Sequence, residues 1–227
     1  MAFDFYIKTQ QDLIDAVKEY GIVPYFENSI PGFSIEEHAA PSAWFDSEQE
    51  GIWEWKGPVI RKTGCAYGKF FEKKAAFVRQ DIFADLANFR RDGYDFEGFF
   101  NDGYASLKDK ALYDLIEKNG PLLSKELKVL GNYRKGGAKG FDTCINRLLA
   151  QCFVLISNFV YMKDRFGREY GWGVAEYAAP EQFMGPDFTD DVYSRDPKES
   201  FERLTAHICG LFPSALPDDI RRFLTRA

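Results

Sequence analysis

Lys139, Thr143, Asn146, Arg147 and Ala150 share one side of residues 139–152 if the segment is a helix turning about 100° per residue. These residue types suit recognition of a DNA groove. Arg can pair with guanine, Asn with adenine and Thr with a methyl or a phosphate, and Ala permits close approach. Arg134, Lys135 and Lys139 lie just ahead, where the free N–H groups of a helix N-terminus also attract phosphate. Arg165 and Arg168 bracket Gly167, a turn from which a hairpin can reach a nucleic-acid backbone. Asp142 works the other way, because a carboxylate in the first turn favours the helix but repels phosphate.

Other chemistry has less support. The two histidines, His38 and His207, have no spacing that joins them to a carboxylate or a thiol. Cys144 and Cys152 would lie about 12 Å apart along a helix, too far for a shared metal or a disulfide. No metal, no cofactor and no catalytic residue is assigned. "RKGGAKG" has the charge of a phosphate loop but no preceding strand and no terminal hydroxyl residue, so it reads as the lead-in to the helix. Trp53, Trp55, Lys56 and Arg61 are candidates for a pocket rim, or for a solvent face beside a packed one.

The surrounding pattern supplies elements to hold these residues. Phe141, Ile145, Leu148, Leu149 and Cys152 recur at helical spacing opposite the polar side. "LKDKALYDLIEKNG" and "LLSKELKVLG" predict two helices before it, and "VLISNFVYMKD" and "YGWGVAEYA" two strands after it. Three helices and a two-stranded hairpin are the order of a winged helix-turn-helix. Upstream, Thr9 predicts a helix cap, "SIEE" a short helix, "GIWEWKG" a strand, "CAYGKFF" and "AAFV" a hairpin, and "DIFADLANFRRDG" a helix. "YDFEGFFNDGYAS" is expected as a link and "APEQFMGPDFTDDVYSRDPKE" as a polar linker, followed by two C-terminal helices. The expected class is α+β: an aromatic-rich N-terminal region over 1–105, a winged helix over 106–180, and a linker with C-terminal helices over 181–227.

Charge narrows the partners. The chain of 227 residues carries a net charge of −6, which speaks against coating nucleic acid along its whole surface. Residues 106–180, however, hold twelve Lys/Arg against eight Asp/Glu, so the expected module is locally basic. No apolar run reaches the ~20 residues of a membrane span. "MAFDFYIKTQ" lacks a signal-peptide pattern, and the scattered cysteines fit reduced thiols, so the expected location is cytoplasmic.

"WEWKGPVIRKTGCAYGKFF", with the segment from "YDLIEKNG" through "GFDTCINRLLAQCFVLISNF" to "GWGVAEY", resembles the AlkZ-related (also YcaQ) bacterial proteins over about residues 53–177. The resemblance implies winged helices and a link to DNA repair, with excision of alkylated or crosslinked bases as the family's activity. It also implies a catalytic Gln, an apolar residue, then Gln or Asp. The nearest match, Gln10-Gln11-Asp12, has a polar middle residue, and Gln151-Cys152-Phe153 lacks the third. The expectation is a protein that binds duplex DNA weakly or without sequence preference. A DNA glycosylase and a winged-helix protein-docking module stand as the alternatives.

Overall fold

The computed structural model describes residues 3–44 and 51–225. In chain order the elements are α1 (Gln10–Tyr20), β1 (Ile22–Pro24), α2 (Ile35–His38), a 3-10 turn (Pro41–Ala43), α3 (Lys56–Thr63), β2 (Ala66–Phe71) and β3 (Lys74–Val78). Next come α4 (Gln80–Arg91), α5 (Phe96–Asn101), α6 (Leu107–Asn119), β4 (Leu122–Leu123), α7 (Ser124–Leu130) and α8 (Phe141–Ala150). The rest are β5 (Leu155–Lys163), β6 (Glu169–Ala178), α9 (Pro180–Met184), α10 (Pro186–Tyr193), α11 (Pro197–Leu211) and α12 (Pro217–Thr225). The strands form one sheet in the order β1-β3-β2-β5-β6-β4, and every pairing in it is antiparallel. The protein is therefore of mixed α and β class.

Many local signals behave as expected. Thr9 and Asp12 form a reciprocal capping box at α1, as Ser106 and Asp109 do at α6. Glu72 and Lys73 turn the β2–β3 hairpin with positive φ, and Glu72 accepts hydrogen bonds from the backbone and hydroxyl of Ser29, which anchors that turn. Helices α6, α7 and α8 and strands β5 and β6 all fall within residues 106–180.

Three expectations are corrected. Residues 52–55 form a turn leading into α3, so Trp53 and Trp55 do not share a strand face. Pro58 fits a first helical turn and Gly64 stops the helix in the left-handed region, while Trp55, Val59 and Ile60 are buried at helical spacing. The expected link after α4 contains α5, capped by Asp95, with Phe96 and Phe99 buried. The expected polar linker folds into α9 and α10, where Phe188 and Val192 have no exposure. Its few apolar residues lie at i and i+4, and that is enough to seat a short helix on α4.

The largest fully buried side chain is that of Arg91, at the end of α4. Its guanidinium donates to Glu181 on α9, to the Tyr193 hydroxyl (3.0 Å) on α10 and to the Cys152 carbonyl (2.7 Å) just after α8, and lies 4.7 Å from the Phe153 ring centre. A buried cation is tolerated only when it is paired and hydrogen-bonded in this way. Replacing Arg91 with Ala removes three charge-assisted hydrogen bonds and leaves Glu181 only the longer one from the Tyr193 hydroxyl (3.4 Å). Urea unfolding should show a loss of about 3–5 kcal/mol; a loss below about 1 kcal/mol would make the network incidental.

Candidate functional site

Helix α8 lies against the sheet on its apolar side. Phe141, Cys144, Ile145, Leu148 and Leu149 are buried. Leu149 approaches β2 at Gly68, where an added Cβ would sit 3.3 Å from Leu149 and 2.7 Å from the Phe70 ring. Glycine at this position lets the helix sit close to the sheet.

The opposite side of α8 lines a groove of about 480 Å³. Thr143, Asn146, Arg147 and Ala150 form one wall, and Lys69 and Lys73 of the β2–β3 hairpin form the other. No carboxylate is among these lining residues. The sequence reading thus brings together four of its residues, but it missed Lys69 and Lys73. Their charges are visible in "GKFFEKK"; their position beside α8 depends on a contact between segments some 75 residues apart and has no local signal.

Arg147 is only partly free. Its Nη2 donates to Asp109 Oδ1 at 2.8 Å; Asp109 is 1% exposed and the Arg147 side chain 43%. Burial pushes the Asp109 carboxyl up, but the hydrogen bonds from Arg147 and Ser106 outweigh it and leave it below the usual carboxylate value. Arg147 therefore offers the groove a charge held in place by α6 rather than a mobile fork. Asn146 is half-buried, and Thr143 and Lys139 are exposed.

The lead-in to α8 is a built loop. The Ala138 N–H donates to the Asn132 carbonyl at 2.7 Å, and a Cβ on Gly137 would come within 2.1 Å of that oxygen. Arg134, Lys135 and Lys139 stand exposed along it. At the β5–β6 turn Arg165 and Arg168 flank Phe166, with guanidinium carbons 4.6 and 5.2 Å from its ring centre. Arg168 also donates to Asp164 at 3.0 Å. Phe166 is 66% exposed and Trp172 73%.

Trp53, Trp55, Lys56 and Arg61 do not share one role. Trp55 is buried, and Arg61 donates to Asn158 on β5 at 2.6 Å. Lys56 Nζ lies 4.3 Å from the Trp53 ring centre and 4.5 Å from that of Phe159. Burial lowers its pKa to about 8 from 10.5, with Glu54 only partly opposing the shift. Of the Gln10-Gln11-Asp12 match, Asp12 is occupied as a helix cap, accepting from the backbone of Lys8 and Thr9, and Gln10 accepts from Lys62 at 3.1 Å. Among the described residues no cluster of three or more His, Cys, Asp or Glu could hold a metal ion, and no helix is long and apolar enough to cross a membrane.

Fold and groove together define a mixed α/β protein with a cation-lined cleft beside one helix. The chain belongs to the AlkZ-related family, whose model matches residues 7–225. No curated protein and no solved structure matches it.

The Lys56 environment makes a direct prediction. In an NMR titration of ¹³Cε shifts its midpoint should fall near 8, well below the usual 10.5. The unfolded chain then binds more protons between these values, so this group's contribution to stability should rise with pH across that window. A midpoint above about 10 would show a solvated ammonium instead.

Proposed function

We propose that the chain binds nucleic acid, chiefly through phosphates of duplex DNA, and that residues 106–180 act as a winged helix within it. The order α6, β4, α7, α8, β5, β6, with β4 paired to β6, supports the winged-helix reading. The observation that carries the function is the groove along α8: among the described residues three cations and no carboxylate line it, in a chain whose net charge is −6. A phosphate backbone lying there meets Lys69, Lys73 and Arg147 as charges and Thr143 and Asn146 as hydrogen-bond donors. Arg134, Lys135 and Lys139 extend the cationic track, and Arg165 and Arg168 add a second contact at the wing tip. Membership of the AlkZ-related family supports a place in DNA repair.

This shifts emphasis from reading bases to gripping the backbone. Arg147, the strongest candidate for a guanine contact, is already held by Asp109. Glycosylase activity is the alternative within the same family, but Asp12 of the nearest catalytic match is committed to its helix cap. A protein-docking role draws support from the exposed Val129 and Leu130 on α7 and from Phe166 and Trp172 on the wing.

Titration against duplex, single-stranded and abasic-analogue DNA at several salt concentrations tests the proposal. Each phosphate contact should contribute about −0.9 to the log–log salt slope. Changing Lys69 and Lys73 together to Ala should flatten the slope by about 2, whereas Asn146→Ala should leave it unchanged. Absence of binding to all three DNAs at about 50 mM salt would overturn the proposal in favour of docking.

A further inference from the structure

Lys56 stands apart from the groove along α8, with its amine between the Trp53 and Phe159 rings. Trp53 stacks at 22° on the fully buried Tyr25, with ring centres 5.9 Å apart. Trp44 meets Trp53 near edge-on at 6.0 Å, and Phe26 stacks on Trp44 at 6.0 Å. Phe159, on the strand that runs out to the β5–β6 turn, closes the other side over buried Tyr67. Phe26, Trp44, Trp53, Phe159 and Lys56 are all half-buried, so the rings form an open wall and not a sealed core. Among the described residues no carboxylate lies within ion-pairing distance of the Lys56 amine. Glu54, two residues away, instead accepts the Gly51 N–H at 2.9 Å.

An amine desolvated with no carboxylate paired to it among the described residues costs stability and gains reactivity. With a pKa of about 8, roughly a quarter of the molecules carry a neutral Lys56 amine near pH 7.5, against about one in a thousand for an ordinary lysine. The Trp53 and Phe159 rings set this lysine apart from Lys69 and Lys73, whose groove has no aromatic side chain among its described lining residues. The rings offer flat surfaces on which a base can rest.

We propose that Lys56 Nζ is a nucleophile toward an aldehyde, and that its substrate is the ring-opened deoxyribose of an abasic site in DNA. This rests on the DNA-binding reading above. The amine lone pair attacks C1′ and gives a carbinolamine. The carbonyl oxygen then leaves as water with both amine hydrogens, and an imine joins Nζ to C1′. No oxidant, reductant or metal is needed. The missing base leaves a gap in the stack that the Trp53 and Phe159 faces can fill.

The test uses the full chain and a labelled duplex with one abasic site, with sodium cyanoborohydride as the trap. Hydride reduction turns the imine into a stable secondary amine, seen as a covalent band on a denaturing gel and mapped by peptide mass to Lys56. Lys56→Arg keeps the charge and the ring contact but stays protonated, so trapping should fall about tenfold or more. A native gel shift on the same duplex should be unchanged, and Lys198→Ala should trap like the wild type. A native shift without a covalent product, or undiminished trapping by Lys56→Arg, overturns this inference and leaves the DNA-binding reading intact. Loss of both the shift and the product overturns the two together.

Discussion

The buried guanidinium of Arg91 fixes the frame on which the rest is built. It reaches from the end of α4 to the Cys152 carbonyl immediately after α8, and to Glu181 and Tyr193 on α9 and α10. One charged group thereby ties the C-terminal end of α8 to the helices that follow the β5–β6 hairpin. Leu149 packing at Gly68 then sets how closely α8 lies on the sheet. The direction in which Thr143, Asn146 and Arg147 point follows from these two constraints rather than from α8 itself, a helix of only ten residues.

The groove also depends on a second pairing. Asp109 serves both as part of the α6 cap and as the partner of Arg147, so the start of α6 and the outer side of α8 are coupled through one carboxylate. Such coupling favours a fixed surface charge over an adaptable base reader. It fits the proposed grip on a nucleic-acid backbone, which needs no choice of sequence. The acidic remainder of the chain would keep affinity low, and counter-ion release from each contacted phosphate would make it fall steeply with salt.

Much of this was legible locally. Capping residues Thr9, Ser34 and Ser106, the Gly167 turn and the split faces of α8 all act through neighbours within a few residues, and sequence spacing records them. The failures share a different cause. The alternation of Trp53 and Trp55 imitates a strand, whereas Pro58 and Gly64 fit the start and stop of a helix. Helix α10 looked like a linker because its two buried residues gain their apolar environment only from packing in the folded chain. The Lys69–Lys73 wall and the Lys56 recess both join segments far apart in sequence, so charge and aromatic content were visible but their convergence was not.

On the proposed function, the outer side of α8 and the two hairpins present one surface to DNA. Amide-resolved NMR during titration with a duplex measures this most directly. The largest shift changes should fall along residues 134–147, at Lys69 and Lys73 and at Arg165–Arg168, all growing together with a single apparent Kd that weakens as salt is raised. Changes confined to the exposed apolar residues of α7, or none at saturating duplex, would contradict it.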